Sequence, residues 1–437
     1  MRTALAMRDA AVLRAWASQH PIALSQALSE LDENETVVAT ELLGDELTAD
    51  VVTELDPGEA AEVLERLDPA DAADVLEEMA PDDAADVAEE LDEAESVLGE
   101  MAHPEAAELR ELMAYPPDTA GGLMTPEFVA VRPTLTIAEA VAEIRRVADE
   151  AETVYYVYVT DADRRLVGVL SLRDLLLGRS AQPVTAVMSP DVASVLVTDD
   201  QEKVARVFRE RRYMALPVVD DQKRMLGIIT IDDVSEVVEE ETTEDIERLG
   251  GSQPLDEPYL RAGVLAIVRK RVVWLLLLFV AEAYTGTVLR YFEDELQAVV
   301  ALAFFVPLLI GTGGNVGSQT VTTIIRSMGV GDVVWRDLGR VLFKEVRISF
   351  LLGAVMAVAT LIRAEILGVG VQIGSVVAVS AAFIVLWAGL VAAALPLTLR
   401  RLGVDPAVVS APMITTLVDG TGLFIYFEIA RYLLHLR

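Results

Sequence analysis

The 437-residue chain has no cysteine and only three histidines, His20, His103 and His435. Without cysteine there is no disulfide, no thiolate metal site and no cysteine nucleophile. Histidines so far apart argue against a zinc centre, and no nucleophile–base pairing stands out, so an enzyme is the least favoured class. Bases are scarce over the first 260 residues, which hold 20 Lys+Arg against 59 Asp+Glu, a net of −39. Residues 261–437 hold 15 against 11, a net of +4, and the two parts sum to the chain's −35. Phosphate binding draws on Lys and Arg, so this acidic part excludes nucleic acid as a partner. It favours cations or basic partners, with plain solubility as the alternative. The N-terminus lacks an apolar h-region, so no cleaved signal peptide is expected.

Beyond residue 260 the chain is rich in long apolar runs. They predict five spans, at roughly 272–289, 299–325, 348–362, 375–399 and 407–430. The third is short and is expected to borrow length from Lys344–Arg347, whose long side chains can snorkel. Arg269, Lys270 and Arg271 precede the first span, and Arg326, Arg336, Arg340, Lys344 and Arg347 come after the second. The loop between those two spans has one base and three acids over Arg290–Glu295. By the positive-inside rule the acidic N-terminal part is cytoplasmic and the C-terminus lies outside a cell inner (plasma) membrane crossed several times.

Polar groups at membrane depth cost free energy unless they serve a path or a helix contact. Asp419 lies mid-span in TTLVDGTGL, with Thr415, Thr416, Gly420 and Thr421 around it. Asn315 lies mid-span in LLIGTGGNVGSQ, and Glu282 is the acid of the first span. Gly313 and Gly317 form a small-xxx-small pair that lets helices approach, which is compatible with a path role. No base is placed to neutralise Asp419. A lone carboxylate beside hydroxyls, amides and backbone carbonyls is a hard-oxygen set suited to Mg²⁺, Ca²⁺ or Mn²⁺. Mg²⁺ keeps most of its water, so few carboxylates and many polar groups suit it best. Five helices are few to enclose a pore, and a two-fold dimer would set two Asp419 side chains about one axis.

Residues 55–101 carry a repeat: LDPGEAAEVLERL, LDPADAADVLEEM, MAPDDAADVAEEL and LDEAESVLGEM. The proline-containing copies recur every 12 residues, with Pro57, Pro69 and Pro81 placed at helix starts. Short stacked helices are predicted, with Leu64, Leu67, Val75, Leu76, Met79, Val87 and Leu91 inside and the acids outside. A second repeat sets MTPEFVAVRPTLTIAEAVAEIRR beside MSPDVASVLVTDDQEKVARVFRE. It continues with VYVTDADRRLVGVLSLRDLL beside PVVDDQKRMLGIITIDDVSE. Each unit reads strand, helix, strand, turn, strand, helix. The ends GVLSLRD and GIITIDD place Gly168/Ser171/Asp174 and Gly227/Thr230/Asp233 in register, each Ser or Thr capping a helix with Asp in its first turn. An acidic helix then runs IDDVSEVVEEETTEDIERLGG toward the first span.

The doubled Gly-x-x-Ser/Thr-x-x-Asp pattern resembles a tandem CBS-domain pair, a Bateman module. That likeness implies a cleft for ATP or another adenine nucleotide, with Asp174 or Asp233 on the ribose, unless both only cap helices. The full order, with PLLIGTGGNVGSQ and DPAVVSAPMITTLVDGTGLFIYF, resembles the MgtE family of magnesium channels and transporters. The resemblance implies a multidomain fold: an acidic helical-repeat N domain at 1–120, α/β CBS domains at 121–185 and 186–240, a connecting (plug) helix at 241–268, and a five-helix all-α transmembrane pore domain at 269–437. It implies a homodimer in membrane lipid, with Mg²⁺ taken up through a pore on the two-fold axis and closed by cytosolic Mg²⁺. The pore residues would be Asp419, Asn315, Gly311, Gly314, Ser318, Thr415 and Thr416, with Asp405 at the cytoplasmic end. Sensor acids would be Asp233, Glu236, Glu241, Glu244 and Asp245, facing Asp82, Asp83 and Asp86. The chain has Ser318 where members often have Asn, and Ala411 where they often have Gly before the proline, which bears on ion preference. The rivals are a Mn²⁺, Ca²⁺ or Co²⁺ channel, a coupled transporter with Glu282 as second ion site, and a nucleotide-sensing membrane protein.

Overall fold

The computed structural model describes residues 5, 7–148, 151–255 and 259–436. They form two compact units, Met1–Glu239 and Glu240–Arg437.

The first unit opens with short helices: α1 (Ala10–Gln19), α2 (Pro21–Ser29), α3 (Glu33–Leu43), α4 (Asp45–Val52), α5 (Pro57–Leu64), α6 (Pro69–Glu77), α7 (Pro81–Glu90), α8 (Ala94–Leu98) and α9 (His103–Leu112). Proline starts α5, α6 and α7, where its missing N–H would have had no partner. The predicted apolar positions, from Leu64 to Leu91, are all buried in one core. Too short to be stable alone, these helices hold together by that shared burial.

Two three-stranded sheets come next. β1 (Phe128–Val131), α10 (Ile137–Val147), β2 (Thr153–Thr160), β3 (Leu166–Ser171) and α11 (Leu172–Leu177) form the first repeat. β4 (Val195–Leu196), α12 (Gln201–Arg211), β5 (Ala215–Val219), β6 (Met225–Thr230) and α13 (Ile231–Leu249) form the second. In each, the first strand runs parallel to the second and the third antiparallel to it. The Met-Thr/Ser-Pro segments are exchanged: Thr125 bridges Ile228 of the second repeat, and Ser189 bridges Val169 of the first. This explains the matched glycines. A β-carbon on Gly168 would sit 2.6 Å from Met188 Sδ, and one on Gly227 would sit 2.6 Å from the Thr125 carbonyl. The two copies are one interlocked body.

The second unit is helical: α14 (Val264–Tyr291), α15 (Glu293–Ala298), α16 (Val306–Gly329), α17 (Leu338–Leu367), α18 (Val371–Arg401) and α19 (Ala411–Leu434). Four helical stretches, Val300–Gly329, Trp335–Leu367, Val371–Arg401 and Ala411–Leu434, are long and apolar enough to cross a membrane. The remaining expected span is α14, a 28-residue helix with Arg269, Lys270 and Arg271 near its start and Glu282 within its apolar length. The third span takes in Lys344–Arg347 as expected and starts earlier still, so that α17 runs 30 residues from Leu338 to Leu367. The link drawn as a helix over 241–268 is helical to Leu249 and again from Val264, where α14 begins. Gly250 and Gly251 end the first stretch, Gly251 in the left-handed region at φ +78° that favours glycine. The link's residues 256–258 lie outside those described.

Candidate ion path

The glycines of α16 divide by face. β-Carbons on Gly313 would come within 2.7 Å of Ile384 and 2.8 Å of Val418, and one on Gly317 within 2.6 Å of Ile414. These two let α16 seat against α18 and α19. Gly314, expected on the path, is also packed: a β-carbon there would meet the Thr415 methyl at 2.8 Å. Gly311 has open space beside it, and it shares an exposed face with Asn315 and Gln319 at helical spacing. One short stretch therefore serves both helix contact and an open polar stripe.

Across the contact, Thr415 Oγ1 donates to the Ala411 carbonyl at 3.1 Å. Ser318 Oγ lies 3.3 Å from Thr415 Oγ1 and 3.5 Å from the same carbonyl. Ser318 and the Ala411 carbonyl thus touch each other. Thr416 and Asp419 are half-buried on α19. Asp419 Oδ1 is buried and has no hydrogen-bond partner among the described residues. A buried carboxylate oxygen without a donor is costly alone, and a cation is a partner that satisfies it.

At the end of α13, carboxylates crowd again. Asp405 caps the short Pro406–Val408 turn by accepting from the Ala407 N–H at 2.8 Å, and it accepts from Arg248 at 2.5 Å. Arg248 also pairs with Glu244 one turn back. Burial pushes Asp245 up, with Asp405 and Glu244 adding to it and Arg248 and Arg326 opposing. Glu244 is likewise raised by burial, with the Glu241 charge adding to it. Reading the sequence for acids missed Arg248. Its signal was there: it is the single base between Arg224 and Arg261.

The first unit holds a second cluster. Burial raises Asp82 well above the usual carboxylate range, with Asp233, Asp83 and Glu152 adding repulsion, and its Oδ1 is buried without a partner among the described residues. Asp83 is pushed up to about 7 by burial and by the charges of Asp233, Glu236, Glu152 and Asp232. Asp86, one turn on, is half-buried. The resemblance set Asp233 and Glu236 facing Asp82 and Asp83, and charges of both acids act on Asp83. Glu152 is an addition it did not offer.

Both repeat aspartates cap helices. Asp174 Oδ2 accepts from the Ser171 N–H at 3.0 Å and from its hydroxyl at 2.5 Å. Asp233 Oδ2 accepts from the Thr230 N–H at 2.8 Å and from its hydroxyl at 2.7 Å. Asp174 is exposed, whereas Asp233 belongs to the carboxylate cluster.

Comparison with known proteins agrees in order and extent. Residues 306–429 match a divalent cation transporter family model, MgtE. Residues 19–118 match the MgtE intracellular N domain, and 120–179 and 184–240 match CBS domains. The magnesium transporter MgtE of Thermus thermophilus is 47% identical over 311 residues, 71% of this chain and 69% of that protein. The Bacillus subtilis magnesium transporter MgtE is 38% identical over 313 residues, 71% of this chain and 69% of that protein. Among solved structures, the cytosolic domain of the Mg²⁺ channel MgtE in complex with ATP matches with a TM-score of 0.51 and 39% identity. It covers 54% of this chain and 98% of that one. The soluble part of a magnesium transporter matches with a TM-score of 0.52 and 34% identity, over 55% of this chain and 95% of that one.

Proposed function

The chain belongs to the MgtE family of divalent cation transporters, and from that premise we propose a dimeric Mg²⁺-conducting channel closed by cytosolic Mg²⁺. It is a magnesium transporter with a cytosolic soluble part. The observation that carries the channel reading is the buried oxygen of Asp419, without a partner among the described residues, on the helix that carries Thr415 and Thr416 and packs against α16, whose Gly311–Asn315 face is open. Mg²⁺ enters with most of its water, held by hydroxyls and amides, while a carboxylate from each of two copies balances its charge. α14 joins the four apolar helices as a fifth span, which puts the C-terminus outside. Uptake runs down the membrane potential, about 4.6 kcal/mol for a divalent ion across 100 mV.

Closure rests on the two carboxylate clusters. Asp82, Asp83, Asp233 and Glu236 repel one another until a cation sits among them, and Glu241, Glu244, Asp245 and Asp405 do the same at the end of α13. A cation that binds the compact arrangement better shifts the population toward it. An adenine nucleotide in the CBS pair fits Asp174 as the ribose contact: it is exposed, and its Oδ1 is left open by the cap. Asp233 does not fit, since the carboxylates around it would repel phosphate. Mg²⁺ flux into proteoliposomes tests the path. Asp419→Ala should abolish it, and wild-type flux in that variant sinks the assignment.

A further inference from the structure

Asp419 has a second carboxylate for company. Gly420, its neighbour on α19, packs against α14: a β-carbon there would lie 2.4 Å from the Tyr284 ring and 3.2 Å from Thr285 Oγ1. Thr285 is 7% exposed, and its hydroxyl has no partner among the described residues. That is unusual for a helical threonine at this depth. Thr287, Thr312, Thr322, Thr323, Thr360 and Thr421 all satisfy their hydroxyls by donating to the carbonyl four residues back. Thr285 keeps its oxygen unspent, turned to the segment that carries Asp419.

Glu282 stands one turn before Thr285, so the two share a face of α14. Glu282 itself is exposed. A buried threonine oxygen, a buried carboxylate oxygen and a second, exposed carboxylate thus lie on neighbouring stretches of α14 and α19 that pack at Gly420. Two like charges at membrane depth persist only where something of opposite sign visits them.

We propose that Glu282, Thr285 and Asp419 form a divalent-cation site within each chain, with Glu282 its second carboxylate. This rests on the ion-path reading of Asp419 and deepens it. Two carboxylates balance the ion's charge inside one copy, so an ion is held before it reaches any two-fold axis. Glu282 then sets the concentration at which the path fills.

The test is the dependence of flux on external Mg²⁺ in proteoliposomes of the full chain. E282Q should raise the half-saturating concentration about tenfold, a modest share of the attraction between a carboxylate and a nearby divalent ion. T285V, which keeps shape and loses the oxygen, should raise it about threefold. E282D keeps the charge and should stay within about threefold of wild type. D419N should conduct nothing. E282Q and T285V at wild-type half-saturation beside a silent D419N overturn this site alone. A conducting D419N overturns the ion path and this site with it. A shift in E282D as large as in E282Q assigns the effect to packing and overturns the site.

Discussion

Arg248 donates to Asp405 at 2.5 Å across 157 residues of sequence, with Glu244 on the same guanidinium. The end of α13 is thereby fastened to the turn that precedes α19. Gly251 lies against Trp274 and Pro412, and Trp274 Nε1 donates to Ser410 Oγ, the cap of α19, at 3.1 Å. One base does locally what a bound cation would do for the same carboxylates. A partly exposed pair contributes about 0.2–1 kcal/mol, a factor of up to about five in an opening equilibrium. In Mg²⁺-free buffer, R248Q should speed amide exchange over residues 244–251 by about two- to fivefold. Millimolar Mg²⁺ should restore wild-type protection. Equal exchange without Mg²⁺ would show that the pair fastens nothing.

The two roles of glycine in α16 make opposite predictions. Gly317→Ala forces a methyl into Ile414, and Gly313→Ala forces one into both Ile384 and Val418. Each should destabilise the helical unit by about 1–3 kcal/mol and lower its unfolding temperature in detergent. Gly311→Ala meets nothing within 4 Å. It should leave unfolding unchanged and alter flux. A G311A variant that unfolds early, with normal flux before it does, would reverse the division.

Protons should imitate Mg²⁺ at the Asp82–Asp83 cluster. Asp83 rises to about 7, chiefly through burial and then through like charge, and burial and like charge raise Asp82 as well. A carboxyl whose folded pKa is raised binds its proton better folded than unfolded. Its stabilising contribution is full below the unfolded value near 4 and is lost as pH rises through about 7. Without Mg²⁺, the first unit should therefore melt at a higher temperature at pH 6 than at pH 8. Added Mg²⁺ should matter most at pH 8, and Asp83→Asn should flatten the pH dependence. A melting temperature that rises with pH over this window would refute the cluster.

Much of the fold was legible because it is local. Proline every 12 residues, apolar positions at helical spacing and the doubled Gly-x-x-Ser/Thr-x-x-Asp are short-range patterns, and helices, core and caps obeyed them. Asp419 was legible from depth alone. The features that escaped depend on neighbours brought from afar. Gly311 and Gly314 have the same residue type three apart, and only Thr415 beside one of them distinguishes packed from open. Arg248 needed its partner 157 residues away. The third span gains the length expected from Lys344–Arg347, and the helix begins still earlier, at Leu338, because long basic side chains tolerate a helix end.

The far end of the helical unit is pinned by an ion pair the sequence did not suggest. Glu295 of α15 is 4% exposed, and it accepts from Arg431 Nε at 2.9 Å and Nη2 at 2.5 Å. Arg431 also donates to Glu428 at 3.0 Å and stacks 4.8 Å over the Phe292 ring. Glu295 has lost its water while Arg431 stays partly exposed, so deleting Arg431 leaves the carboxylate without compensation. Glu295→Ala should lower the unfolding temperature of the detergent-solubilised protein. Arg431→Ala leaves a buried carboxylate and should fall as far. The double change to Ala should recover part of the loss, because no charge is then left stranded. If the single changes cost less than about 1 kcal/mol and simply add in the double, the pair is solvated and holds α15 to α19 no more firmly than a surface contact.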